Sequence, residues 1–249
     1  MILQGHEILV IPCVNRYSMN VGKRFWTMDN TDINRMFPGY SQGETTQRIA
    51  GALFDAVRGY RYGIHFASFY LPGDFVPHVR IMDTGYQTSS LGNLFGLPYV
   101  VMRTPKPIDT TTLNYNWQIW ESNAFSIYTK ETANIDEESA TQAVSAVLRY
   151  LSRVGVVKYA CHSGYLSTVI NENDLATMLT PSGGIFRALR VPGQEVEYGD
   201  TIGEILDPFT AQVVAPVTAT TSGLVFFAMD KPLVLEHEVA FKLIRRLHA

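Results

Sequence analysis

Cysteine is scarce: Cys13 and Cys161 are the only two in 249 residues, far apart and in no CxxC pair. A disulfide framework and a cysteine-built zinc site are excluded in practice. Charge is sparse too, 17% of residues with a formal net of −3. The basic stripe of a nucleic-acid binder is therefore missing. No apolar run approaches the ~20 residues that span a bilayer. The opening "MILQGHEILVIPCVN" has neither the basic region nor the small-residue cleavage site of a signal peptide. Tandem repeats and low-complexity tracts are also absent. What is present is 46% hydrophobic residues, enough for a sizeable core in one large or two modest domains. The expected setting is cytoplasmic, with no nucleic-acid and no membrane partner.

Periodicity sorts the chain into elements. "EILVIPCVN" (7–15) is short, β-branched and continuously apolar, which predicts a buried strand. Residues 43–59 place Ile49, Leu53 and Val57 at i, i+4 and i+8 beside Ala52 and Ala56, an apolar helical face that ends at Gly59. "YGIHFASFYL" and "FVPHVRIM" predict strands separated by a Pro72-Gly73-Asp74 turn, and "GLPYVVM" and "AFSIYTKET" predict two more. Residues 136–155 carry acids in the first turn, then Val144, Val147, Leu148 and Leu151, then Arg153 and Gly155, so they predict a second helix. Alternating strands and helices argue for an α/β layer architecture over 1–155. From 156 to 249 short strands punctuated by glycine predict a small all-β domain. "VPGQEVEYGDTIGEI" has the rhythm of the barrel-sandwich modules of biotinyl and lipoyl carriers. Thr221-Ser222-Gly223 stands where such carriers hold their modified lysine, which argues against a swinging arm.

Five polar features could carry chemistry. "NTDINRMFPGY" (30–40) puts Asp32, Asn34 and Arg35 just before the rigid Phe37-Pro38-Gly39 turn. Such neighbours can converge on a small anion, or simply form a solvated loop. Arg24 lies ten residues earlier and reads as a cation for an oxyanion or as a surface arginine. His65, in "YGIHFAS", is either a metal ligand or a satisfied core histidine. His78 and Arg80 alternate onto one strand face and could line a cleft or face solvent. Glu131 sits at a strand end between two threonines in "YTKETA", a place for a general base, with Glu121 and Glu138 as competitors by type.

In this order, "IPCVN", Arg24, "DINRMFPG", "GIHFAS" and "YTKET" before a helix and a β domain, the chain resembles the succinylglutamate desuccinylase/aspartoacylase family. The likeness covers nearly the whole sequence, and "DINRMFPG" against Asp-Leu-Asn-Arg-x-Phe-Pro-Gly is its strongest part. It implies an α/β fold with a mixed, mostly parallel sheet of zinc-carboxypeptidase type, followed by the small β domain. It also implies a zinc-dependent deacylase cleaving the amide bond of an N-acyl amino acid or a similar small carboxylate. Asn34 and Arg35 would grip the substrate carboxylate, with Asp32 orienting their loop. Arg24 would steady the oxyanion, His65 would ligate zinc, Glu131 would serve as base and then acid, and Arg80 would add a substrate contact.

Two departures stand out. Gly63 occupies the first position of the family's Asp-x-His. The Gly-x-His-Gly-x-Glu segment expected ahead of "EILVIPCVN", which carries two zinc ligands, is not present. "QGHEI" does not replace it, because adjacent His6 and Glu7 on a strand point to opposite faces. A fragment with a late start, a shortened homologue that binds without hydrolysing, and a segment supplied by a second polypeptide are the three explanations. A non-catalytic carboxylate- or peptide-binding protein and a zinc carboxypeptidase are the alternative functions, and a homo-oligomer stays open.

Overall fold

The computed structural model describes residues 2–67, 72–130 and 135–246. Four α-helices occur among them: α1 (Arg16–Asn20), α2 (Thr45–Val57), α3 (Leu113–Ile119) and α4 (Glu137–Arg153). The strands of the first half are β1 (Tyr62–Phe66), β2 (Gly73–Phe75), β3 (His78–Met82), β4 (Tyr99–Arg103) and β5 (Asn123–Tyr128). Then follow β6 (Thr168–Asn171), β7 (Ala176–Leu179), β8 (Gly184–Ala188), β9 (Glu195–Val196), β10 (Thr201–Leu206), β11 (Val213–Thr218), β12 (Gly223–Met229), β13 (Leu233–Val234) and β14 (Val239–Arg245).

One sheet has the order β1-β5-β3-β4-β6. Its pairings β1–β5, β3–β4 and β4–β6 are parallel and β3–β5 is antiparallel. The expected mixed, mostly parallel sheet is what forms. Two antiparallel sheets follow, β11-β10-β8-β13 and β2-β12-β14-β7. The two regions exchange a strand: β6 extends the first sheet, and β2 pairs with β12. Gly73 and Asp74, expected as part of a turn, therefore join Phe75 in a strand. A Cβ on Gly73 would lie 2.4 Å from the Ala228 carbonyl oxygen, so glycine lets the two backbones close up. Phe75, Val76 and Val101 then join Phe226, Phe227 and Phe241 in one continuous core.

Both long helices form where expected, but their buried faces are rotated. Asp136 caps α4 by accepting from the Glu138 amide at 3.1 Å, and Gly155 follows the helix with φ of 77°. Its buried side is Ala143, Ala146, Arg149 and Tyr150, while Val144 is 55% exposed. Tyr150 stacks on Phe95 with ring centroids 4.2 Å apart. In α2 the buried line is Ala50, Phe54 and Val57, flanked by Ile49 and Leu53, and Ala52 and Ala56 face outward. The larger aromatic decides each rotation, since burying a ring contributes about 2–3 kcal/mol, more than a second small aliphatic would.

The strand expected at 7–15 does not form. Ile8, Leu9, Val10, Ile11 and Val14 are all exposed and carry no ladder hydrogen bonds. A β-branched run becomes a strand only against a neighbour, and among the described residues β1 pairs with β5 alone. The segment is tethered elsewhere, by the Leu3 amide donating to the Val156 carbonyl at 3.0 Å and the Tyr60 hydroxyl donating to Glu7. Among the described residues no helix is long and apolar enough to cross a membrane.

Candidate functional site

Strand register decides which side chains share a face. Register pairs His65 with Ser126, and Ser126 with Arg80. His65, Ser126 and Arg80 therefore form a row across three strands, flanked by Gly63, Ala124, His78 and Tyr128 on the same face. The opposite face, with Ile64, Val79, Ile81 and Phe125, packs under α4. The row is covered by α3 and by the loop carrying Asn34 and Arg35. Ile33 and Phe37 of that loop are buried with Trp117 of α3 and Ala124 of β5.

His65 heads a hydrogen-bond chain. Its Nε2 lies 3.2 Å from Ser126 Oγ, which accepts from Asn114 Nδ2 at 2.9 Å. Asn114 Oδ1 accepts from Gln118 Nε2 at 3.1 Å, and Gln118 Oε1 accepts from the Thr84 hydroxyl at 2.5 Å. The chain fixes the imidazole plane, and the Trp117 ring 6.1 Å away covers it. Nδ1 is buried and has no hydrogen-bond partner among the described residues. In the tautomer whose Nε2–H is donated to Ser126, Nδ1 presents a lone pair, the orientation that ligating histidines take when a partner holds their other nitrogen. Burial pushes the imidazole down to about 4, so it is neutral at physiological pH and able to ligate.

Trp117 also explains the missing acid at 63. A Cβ on Gly63 would sit 2.7 Å from the Trp117 ring. The indole occupies the space that an aspartate side chain would need.

The loop is anchored, not solvated. Asp32 accepts from the Asn34 amide at 2.9 Å and caps a 3₁₀ turn, Ile33–Arg35. Thus Asp32 orients the loop, as expected. Asn34 is exposed, and its Oδ1 accepts from the Leu113 amide at 3.2 Å at the start of α3. The Phe37 amide donates to the Thr111 carbonyl at 3.0 Å, and the Phe37–Pro38 peptide is cis. Gly39 has φ of 90° and presses on α2, where an added Cβ would lie 2.0 Å from Gly51 N. Arg35 Nη1 donates to the Ile108 carbonyl at 2.7 Å and lies 3.4 Å from Asp109, with Nε 3.9 Å from Asp32. No partner engages Nη2 among the described residues, and the side chain is about one-third exposed.

The other candidates are placed as follows. Arg24 is exposed, with its guanidinium 5.6 Å from the Phe25 ring centre. His78 and Arg80 are both buried. His78 stacks on Tyr128 at 4.8 Å and hydrogen-bonds the Val76 carbonyl at 2.8 Å; burial, helped by Arg80, pushes it down to about 3. Arg80 lies 4.4 Å over the same ring and donates to the Tyr128 hydroxyl at 3.2 Å. Glu131 falls outside the described residues.

Sequence reasoning missed Ser126, Asn114, Gln118, Asp109, Arg103 and Glu172. One signal was available: Asn114 and Gln118 are polar at i and i+4 with Trp117 between them, a polar stripe on a helix that should bury something. Among the described residues, no three His, Cys, Asp or Glu side chains come together to hold a metal ion. A catalytic zinc needs three protein donors and one open position. The described residues fit that requirement with one donor, His65, and so do not build the centre.

Comparison with known proteins was made at three levels. No family sequence model matches the chain, and no curated protein does. Solved structures do match. A succinylglutamate desuccinylase/aspartoacylase from Rhodobacter sphaeroides superposes with a TM-score of 0.78 at 19% identity, over 96% of this chain and 75% of that one. An aspartoacylase family protein from Mesorhizobium loti gives 0.78 at 21%, over 96% and 74%. The product-bound ectoine utilization protein EutE from Ruegeria pomeroyi gives 0.80 at 18%, over 94% and 73%. The chain thus has the fold of succinylglutamate desuccinylase/aspartoacylase structures across nearly its whole length.

Proposed function

We propose that this chain is a hydrolase of the deacylase type, acting on the amide bond of an N-acyl amino acid or a similar small carboxylate. One observation carries the reading. His65, whose buried Nδ1 has no partner among the described residues, lies 6.1 Å from the Trp117 ring, and Trp117 packs with Ile33 and Phe37 of the loop that carries Arg35. Deacylase-type names among structures of the same fold support it.

In this reading Arg35 offers Nη2 to the substrate carboxylate, and Asn34 adds its amide N–H. Arg24 takes the charge that develops on the carbonyl oxygen. Glu131 removes a proton from water as its oxygen attacks the carbonyl carbon, and returns it to the nitrogen as the C–N bond breaks. The products are a carboxylic acid and a free amine. Arg80 is a deeper cation behind the substrate. Among the described residues, zinc would have His65 as its one donor. The rhythm of the C-terminal strands suits a barrel-sandwich module that narrows access to long peptides, which disfavours a carboxypeptidase.

A single donor beside a complete carboxylate anchor favours a second reading, a non-catalytic protein that binds the same ligands. The experiment that separates them uses the purified chain, with and without added zinc, and a panel of N-acetyl and N-succinyl amino acids. Release of free amine that Arg35→Ala abolishes supports the hydrolase. Carboxylate binding without release, insensitive to chelators, supports the binder. Neither release nor binding overturns both.

A further inference from the structure

Arg35 is one end of a charge relay that crosses the molecule. Its neighbour Asp109 has a side chain only 3% exposed. Arg103 grips that carboxylate through Nη2 at 2.9 Å and 3.2 Å and through Nε at 3.2 Å, and the Lys106 amide donates to it at 2.9 Å. Arg103 then reaches through Nη1 to Glu172 at 2.7 Å. Glu172, its side chain 10% exposed, also faces Arg80 at 3.8 Å and Lys242 of β14 at 3.9 Å. Burial alone would raise the Glu172 carboxyl, but Arg80, Arg103 and Lys242 together hold it below the ordinary glutamate range. Burial would lower Arg103, but Glu172 and Asp109 raise it further.

We propose that Asp109 is the positioning residue of Arg35, and that Arg103, Glu172 and Lys242 extend this anchorage into the C-terminal strands. The proposal rests on the reading of Arg35 as the carboxylate grip. Its geometry supplies what that role needs. A lone arginine on a loop samples many rotamers, each of which weakens a bidentate contact. Here Nη1 is pinned by Ile108 and Asp109, so Nη2 is presented in one direction. Asp109 in turn cannot swing away, because Arg103 and the Lys106 amide occupy its remaining lone pairs. Lys242 belongs to a strand in the core of the C-terminal region, so the position of that region is felt at the grip.

The test reads Arg35 directly, in the full chain without ligand, through the exchange of its Nη1 protons with water by NMR at low temperature. The wild type should show a protected signal. Asp109→Asn should lose that protection, Arg103→Lys should weaken it, and Lys242→Met should shift the signal. Arg187→Met, which removes a separate exposed pair with Glu204, should leave it alone. If Asp109→Asn fails to fold, Arg103→Lys and Lys242→Met decide. Titration with N-acetylglycine and its larger homologues adds a second readout. Asp109→Asn should weaken binding about tenfold and Arg35→Ala about a hundredfold, with Asp109→Glu recovering part of the loss. The double variant Asp109→Asn/Arg35→Ala should bind no worse than Arg35→Ala alone. An unchanged Arg35 signal in Asp109→Asn and Arg103→Lys, or multiplicative losses in the double variant, overturns the proposal. A wild type that binds none of these acids overturns the functional reading instead, while the ligand-free signal still judges Asp109.

Discussion

Residues 7–15 and residues 30–40 exchange the roles that their compositions suggest. The first is apolar and β-branched, yet it lies exposed and unpaired, with Val10 72% exposed. The second is polar and irregular, yet Ile33 and Phe37 are buried and Asp32, Asn34 and Arg35 each have a fixed partner. Hydrophobicity supplies a driving force but not a place. A strand needs an adjacent ladder, and only a tertiary neighbour provides it. A polar loop becomes rigid when its amides and carboxylates find complementary backbone groups, which 30–40 finds at 107–113.

The sharpest break of this contrast is a pair of glycine substitutions. Gly39→Ala and Gly5→Ala both place alanine at positive φ, 90° and 84°, which costs each about 1–2 kcal/mol. Only Gly39 also meets backbone at 2.0 Å, whereas nothing lies within 4 Å of Gly5. Urea denaturation should therefore show Gly39→Ala losing more than about 3 kcal/mol and Gly5→Ala no more than about 2. Equal losses would show the loop is not pressed on α2.

Core truncation comes next. Ile33→Ala should destabilise by about 2–4 kcal/mol, and Gly63→Ala by about 1–3 kcal/mol, because its methyl group meets the Trp117 ring. A neutral result at Gly63 would mean that Trp117 does not cover His65.

Acid titration tests the buried strand face. His78 is held near 3, so the unfolded chain binds a proton between about pH 6.5 and pH 3 that the folded chain refuses. Stability is full above pH 6.5 and declines as pH falls, with Glu172 adding to the loss below the ordinary glutamate range as it is protonated. In His78→Phe the decline between pH 6.5 and 5 should be visibly flatter. An identical profile would place His78 in solvent.

The smallest expected effect is at the exposed segment. Val10→Ser should change stability by no more than about 0.5 kcal/mol. A loss above about 1.5 kcal/mol would show that 7–15 is packed in solution and would dissolve the contrast.

Much of this was legible from the sequence. Helices at 43–59 and 136–155 follow from period, caps and charge, and β1, β3, β4 and β5 follow from their apolar runs, whereas β6 was not expected in the first sheet. "DINRMFPG" pointed to the anchored loop. The rest was not, for physical reasons. The relay from His65 to Thr84 uses single polar residues from β1, β5 and α3 whose spacing is set by sheet register, not by sequence. Asp109, Arg103 and Glu172 span about seventy positions and meet only after β6 joins the first sheet. Ordinary strands with one polar residue each carry no mark of such a network.

The central claim is that Arg35 and His65 serve one small-carboxylate site beneath α3. The Trp117 ring lies 6.1 Å from His65 and packs with Ile33 and Phe37 of the loop that carries Arg35, so its indole N–H resonance is the most direct reporter. Titration with N-acetyl amino acids should shift it saturably in the wild type and leave it unmoved in Arg35→Ala. Shifts confined to Trp26 or Trp120, or a Trp117 response that survives Arg35→Ala, would contradict the account.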